Sequence, residues 1–237
     1  MSATLENRTV LMIGRGSGLA RATVDALLAA GAKVVAAGRD QEALAAAYKG
    51  TPVETATVDL LDEASIAALA ESIEVDHIVS TASARARGRL ADLTPEAMLL
   101  SFGTKVIGPI LLAKHFAPRL PADGSFVFFS GHSARKSHPG MLAVGATNGA
   151  VDVVARSLAV ELAPLRVNAV SPGTIDTGAY DGLGQAGKAE LFAHRIAENP
   201  VGRLGTAEDV AEAVVFALTN TFLTGTSLSI DGGEPIV

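Results

Sequence analysis

The sequence predicts an α/β fold, a single-domain doubly wound parallel sheet of Rossmann type with helices on both faces. Three observations lead there. Strand-length apolar runs alternate with helical patterns from end to end. Runs such as Val34-Val35-Ala36-Ala37 and Phe126-Val127-Phe128-Phe129 are continuously apolar, as strands covered on both faces must be. The run Thr9-Val10-Leu11-Met12-Ile13 breaks at Gly14-Arg15-Gly16-Ser17-Gly18 and passes straight into the alanine- and leucine-rich stretch Leu19 to Ala30, which reads as strand, glycine turn and helix.

Taken in order, strands are predicted at 8–14, 33–38, 53–58, 76–82, 125–130, 166–171 and 227–230, and helices at 18–30, 40–48, 62–72, 94–119, 140–163 and 206–218. The long fourth helix starts at Thr94-Pro95-Glu96, where a capping residue precedes proline at the first helical position. One irregular stretch, 172–205, carries Gly173, Gly178, Gly182, Gly184 and Gly187 among small and polar residues. It follows the sixth strand, so a substrate lid or a plain surface loop is expected there.

Composition narrows the function. At 237 residues without a linker-like tract, one domain spanning 1–237 with a substantial core is expected. Hydrophobic residues at 49% against 19% charged exclude a disordered chain. The apolar runs are short and interrupted, so no bilayer span is expected. The polar start Met1 to Arg8 leads directly into a strand, from which a cytoplasmic location is expected. The absence of cysteine excludes disulfides and thiolate chemistry. A net charge of −6 with no basic block argues against nucleic acid as a partner.

The glycine turn is the first functional signal. A pyrophosphate can meet the N–H groups of a helix N-terminus only where side chains leave room, and Gly14 and Gly18 leave it. The common G-x-G-x-x-G/A spacing fails, because Leu19 or Arg21 stands where a small residue is needed; Gly14-x-x-x-Gly18-x-Ala20 fits instead. An ordinary strand-to-helix loop is the competing reading. The second strand ends at Gly38-Arg39-Asp40, where a dinucleotide domain meets the adenosine ribose. Arg39, with Arg15 beside it, suits a 2′-phosphate, so NADP(H) is expected over NAD(H). The alternative is an exposed ion pair of Arg39 with Asp40 or Glu42.

Further motifs complete a pattern: Asp59-Leu60 after the third strand, Val167 to Gly173 (Val-Asn-Ala-Val-Ser-Pro-Gly) with Thr177 following, Arg203-Leu204-Gly205, Glu208-Asp209-Val210-Ala211, Thr224-Gly225 and Asp231-Gly232-Gly233. In this order and over nearly the whole chain, they resemble the short-chain dehydrogenase/reductase family. The resemblance implies a nicotinamide cofactor bound by Gly14, Arg15, Gly16, Ser17, Gly18, Leu19, Arg39, Asp59, Leu60, Ala82, Lys105, Pro172, Gly173, Ile175 and Thr177. It also implies a small carbonyl or alcohol substrate. A homo-oligomer, tetramer or dimer, is implied too, with the helix 143–163 and the end Ile236-Val237 as its buried surfaces.

The departures from the family are concentrated in its catalytic positions. Val144 aligns with the catalytic tyrosine, Asn148 with the lysine, Gly131 with the serine and Lys105 with the fourth-helix asparagine. Ser80-Thr81-Ala82-Ser83 replaces the family's Asn-Asn-Ala-Gly. Neither tyrosine restores the motif, since Tyr48 is followed by Pro52 and Tyr180 by Gly184 at the lysine spacing. The candidates left to move protons are Lys105, His132, Asn148 and Ser130, with Ser133, Lys136, His138 and the arginines Arg85, Arg87 and Arg135 nearby in sequence. His132 leads on titration range. Lysine and asparagine have traded helices, which suggests that Lys105 takes over the lysine's place from the fourth helix. Arg85, Arg87 and Arg89 read either as an anion clamp or as a solvated run. His132 and His138 lack a carboxylate at ligand spacing, so no metal is expected. His77 and His115 read as structural. A non-redox enzyme using the same pocket and an inactive nucleotide-binding protein are the alternatives.

Overall fold

The computed structural model describes residues 4–178 and 180–237; the first three residues of the polar start and Ala179 of the 172–205 stretch lie outside them. Seven strands form one parallel sheet: β1 (Thr9–Ile13), β2 (Lys33–Gly38), β3 (Glu54–Thr57), β4 (His77–Ser80), β5 (Ser125–Phe129), β6 (Arg166–Pro172) and β7 (Ser227–Ile230). Their order is β3-β2-β1-β4-β5-β6-β7. The chain therefore reverses direction across the sheet between β1 and β4, and a crevice opens at the carboxyl ends there. In register, Ile13 stands beside Ala37 on one side and Ser80 on the other.

Strand alternation sorts side chains into two cores. Val10, Met12, Val127 and Phe129 pack on one face with the helices α1 (Gly18–Ala29) and α8 (Ala207–Thr219). Leu11, Ile13, Phe126 and Phe128 pack on the other with α3 (Glu63–Ser72), α5 (Gly108–Phe116) and α6 (Leu142–Glu161). The short α2 (Gln41–Ala47) starts where Asp40 accepts a hydrogen bond from Ala43 N, and α8 starts with a reciprocal Thr206–Asp209 capping box.

Two expectations are corrected. The helix predicted at 94–119 is three pieces, α4 (Pro95–Phe102), a π turn (Gly103–Ile107) and α5, followed by a tight turn at Ala117–Arg119. Glycine brackets the π turn because the chain runs hard against the loop after β3: a Cβ on Gly103 would lie 2.7 Å from Leu61 Cδ2, and one on Gly108 would lie 2.9 Å from Leu60 Cβ. By length and hydropathy the whole segment Pro95–Arg119 is apolar enough to span a bilayer, a test that a core helix of a globular protein also passes. Here Leu112, Ala113 and Phe116 are buried in the core, while Leu99, Leu100, Ile107 and Ile110 are exposed.

The second correction lies in 172–205, which holds a fifteen-residue helix, α7 (Gly184–Glu198). Gly184 and Gly187 hide it in the sequence, and it buries no residue completely. It is fastened from its edges instead. Phe192 meets the Tyr180 ring edge-on at 5.6 Å, and Lys188 bridges Asp176 and Asp181 at 2.8 and 2.7 Å.

At the far edge of the sheet, the buried Arg166 closes the end of α8. Its guanidinium donates to the carbonyls of Ala217 (2.8 Å), Asn220 (3.0 Å) and Leu218 (2.7 Å), the C-terminal oxygens that a helix leaves unbonded. Arg166→Met would strand these carbonyls, and urea unfolding should show about 2–4 kcal/mol lost with an unchanged denaturant slope. A loss under about 0.5 kcal/mol would mean that water replaces the guanidinium there.

Candidate active site

The carboxyl ends of the strands enclose a cleft of about 610 Å³, a volume ordinary for a small-molecule site. Every residue expected at the cofactor lines it except Gly16. The three glycines of the turn serve different ends. Gly18 adopts φ +57°, which favours glycine, with the Thr177 side chain close by. Gly14 leaves no room for a Cβ against Thr81 Oγ1. Gly16 faces Ala47 at the end of α2, so its smallness serves helix packing rather than ligand approach. Ser17 precedes α1 in an extended conformation but makes no side-chain capping bond, leaving the first N–H groups of α1 without that partner.

Arg15 and Arg39 are exposed at the cleft wall and belong to none of the ion pairs among the described residues. Asp40, the partner Arg39 was offered in sequence, instead caps α2. Asp59 turns its Oδ1 back to Leu61 N at 3.0 Å. Ile175 is buried and forms a parallel bridge with Gly205, which ties down the loop carrying Pro172, Gly173 and Thr177.

In the cleft Lys105 and Asn148 meet. Lys105, inside the π turn, is 7% exposed and Asn148 on α6 is 3% exposed. The Lys105 ammonium donates to Asn148 Oδ1 in a short contact and to Ser130 O at 3.2 Å. Asn148 Nδ2 donates to Ser133 Oγ at 2.8 Å, and Ser130 Oγ donates to Asn148 O at 3.0 Å. Gly131 is part of the same fit: a Cβ there would lie 2.7 Å from Asn148 Nδ2, so the amide occupies the room a serine would need. An ammonium has three N–H groups, and the third remains for a ligand in the cleft. Burial lowers the Lys105 pKa to about 7; the charge of Arg85 adds to the shift and Asp152 opposes it.

His132 also lines the cleft, but its ring is engaged with protein. Nδ1 faces Pro172 O at 3.4 Å and Nε2 faces Glu234 Oε1 at 3.6 Å, while burial lowers its pKa. The expectation that no carboxylate accompanies His132 and His138 is corrected by the C-terminal segment. Glu234 arrives from 96 residues away in sequence from His138, and the three ligand atoms lie within 4.8 Å of one another. Arg195 of α7 already supplies a cation to this trio, with Nη1 3.4 Å from both Glu234 Oε1 and His138 Nε2. Glu234 is 1% exposed and accepts from Thr174 N and Thr174 Oγ1, both at 2.9 Å. Nothing at positions 174 or 234 signals this pairing in sequence. His77 is buried on Ser125 Oγ at 2.9 Å with its pKa lowered to about 4 by burial, and His115 faces Glu63 at 2.9 Å.

A parallel sheet with its crossover crevice, a glycine turn opening α1 and a polar cluster between the π turn and α6 define a doubly wound α/β fold with a cleft at its carboxyl edge. The family described as enoyl-(acyl carrier protein) reductase matches residues 13–234. The L-xylulose reductase of Mesocricetus auratus is 33% identical over 243 residues, covering 98% of both chains. Among solved structures, a small-chain dehydrogenase in complex with NADPH superposes with a TM-score of 0.82 at 31% identity, over 98% of this chain and all of that one. The MalC reductase/Diels-Alderase of Malbranchea aurantiaca superposes with a TM-score of 0.90 at 29% identity, over 98% of each chain. The chain belongs to the short-chain dehydrogenase/reductase family.

Burying Lys105 has a measurable consequence for stability. Between its folded pKa of about 7 and the ordinary 10.5, the unfolded chain holds a proton that the folded chain does not. The burial penalty is therefore complete below about pH 7 and fades as the pH rises toward 10.5. Relative to Lys105→Met, the wild type should gain unfolding free energy over this window at up to about 1.4 kcal/mol per pH unit. Parallel pH profiles for the two proteins would refute a lowered lysine pKa.

Proposed function

We propose that the protein is a cytoplasmic NADP(H)-dependent oxidoreductase of a small carbonyl compound and its alcohol, in which Lys105 moves the proton. The Lys105–Asn148 contact inside the cleft carries this reading. The residues present suit the cofactor. The uncapped start of α1 above Gly14 and Gly18 offers N–H groups to a pyrophosphate. Arg39 and Arg15, exposed at the cleft wall and in no ion pair among the described residues, would offer charge to a 2′-phosphate. The name of the NADPH-bound relative agrees with this choice.

The reduced nicotinamide would supply a hydride to the carbonyl carbon. Protonated Lys105 donates a hydrogen bond to the carbonyl oxygen and transfers its proton there as the C–O π pair withdraws onto oxygen. In the reverse direction neutral Lys105 takes the hydroxyl proton. Ser130 O and Asn148 Oδ1 hold the ammonium in place, and Ser133 fixes the orientation of the Asn148 amide. Val144 and Gly131 have no group that could do this work. His132, with its nitrogens turned to Pro172 and Glu234, takes a positioning role at the base of the lid.

The second reading is a non-redox enzyme, an isomerase, cyclase or lyase that keeps the pocket. It draws on the MalC relative, whose name joins reductase and Diels-Alderase, and on the changes at Val144 and Gly131. Product formed without cofactor oxidation would favour it, and binding without turnover would mark an inactive protein. A homo-oligomer also belongs to the proposal: Val153 and Val160 on α6 and Ile236 and Val237 at the end are exposed in the single chain and available for burial.

Calorimetry should find NADPH bound more tightly than NADH, with Arg39→Ala removing about ten- to a hundredfold of the difference. Equal affinities, unchanged by the mutation, would end the NADP(H) assignment. Once a substrate is in hand, carbonyl reduction should fall as pH rises through about 7, where Lys105 loses its proton, and alcohol oxidation should fall below it. Lys105→Met should abolish both limbs. Turnover that survives this change with its pH profile intact would place the acid elsewhere.

A further inference from the structure

The charge of the cleft runs against that of the protein. The chain carries a net charge of −6, yet the ionised side chains lining the cleft are Arg15, Arg39, Arg85, Arg87 and Lys105 against a single carboxylate, Asp59. Arg15 and Arg39 follow β1 and β2, at the end assigned above to the adenosine phosphates. Arg85, Arg87 and Lys105 gather on the other side of the crossover, after β4 and on the π turn.

Their counter-charge is thin: Asp152 acts on Lys105 without pairing with it. None of them enters an ion pair among the described residues, and no side-chain hydrogen bond ties down Arg85 or Arg87. Arg87 lies over the Tyr180 ring, 5.7 Å from its centre, and both residues line the cleft. Arg85 is exposed where it lines the cleft, and partial desolvation there, followed by the charge of Arg87, lowers its pKa. Arg85 in turn depresses Lys105. Mutual repulsion of this kind weakens the folded protein unless a ligand relieves it, and a concave basic wall concentrates anions. Arg89, the third arginine of the run, is exposed and does not line the cleft, so only two of the three are recruited.

We propose that Arg85 and Arg87 form a subsite for a carboxylate on the substrate, which makes the substrate an oxo acid or hydroxy acid. The planar fork of a guanidinium matches the two oxygens of a carboxylate, and two such forks side by side leave the carbonyl to Lys105. The subsite rests on the reading of the opposite end as the cofactor's.

The test titrates NADPH-saturated protein with a panel of short oxo acids (pyruvate, acetoacetate, 2-oxoglutarate), their methyl esters and inorganic phosphate, reading heat and nicotinamide fluorescence. At least one oxo acid should bind, its ester should bind about ten- to a hundredfold more weakly, and Arg85→Ala should remove that preference while Arg89→Ala keeps it. Arg85→Lys should recover only part of it, since an ammonium lacks the fork. Acids and esters binding alike, no member binding, or a preference indifferent to Arg85 would overturn the subsite. Phosphate binding better than every oxo acid would replace the carboxylate with a phosphate ester. The same titration of cofactor-free protein carrying Arg15→Ala and Arg39→Ala separates the two readings. Acid binding that still depends on Arg85 supports the subsite even if NADPH proves not to bind.

Discussion

A lysine ammonium cannot be buried without partners, and meeting that requirement organises the inner end of the cleft. Removing a charge from water costs several kcal/mol unless hydrogen bonds replace its hydration, so the elements around Lys105 are arranged to supply them. The π turn sets the side chain inward from a helix whose outer face is apolar. β5 delivers the Ser130 carbonyl, and α6 delivers the Asn148 amide. The amide is then held by Ser133, and Gly131 makes room for it by having no side chain. Gly145 allows α6 this close, since a Cβ there would lie 2.8 Å from Ser133 O. Each of these residues is explained by the one buried cation.

The same cleft is closed from the other end of the chain. Glu234, almost the last residue, is buried against Thr174 and faces His132 and Arg195. Lys136 reaches the same segment through Glu234 O at 3.1 Å, and Arg135 reaches Asp231 at 3.1 Å. The loop after β5, the loop after β6, α7 and the C-terminus thus share one polar junction beside His132. A network of this kind holds loops that bury too little apolar surface to hold themselves. It explains how α7, with no fully buried residue, keeps its place against the body of the fold.

Legibility in the sequence followed the range of the physics involved. The strands and most helices were visible because burial on both faces of a parallel sheet writes itself into continuous apolar runs. The bounds predicted for β7 match the observed Ser227–Ile230. Gly14 and Gly18 were read as leaving room for a pyrophosphate, whereas the neighbours that a Cβ would meet at Gly14 and Gly16 are Thr81 and Ala47, which the glycine turn does not predict. The segment 94–119 showed one unbroken helical pattern because a π turn changes hydrogen bonding without changing composition. The helix α7 was hidden by its glycines and by its thin apolar face, since its stability comes from Tyr180, Lys188 and Arg195 at its margins.

By itself the sequence determined the doubly wound sheet, the place of the glycine turn between β1 and α1, and the residue types at positions 105 and 148. All three are local patterns: a period, a spacing, a residue type at a motif position. Tertiary structure alone decided that Lys105 and Asn148 touch, that Arg85 and Arg87 face the cleft while Arg89 does not, and that Glu234 completes a trio with His132 and His138. Those facts depend on groups that the chain brings together across the sheet from distant positions. Whether a charge is solvated or buried, paired or alone, is a property of that assembled space and has no period to read.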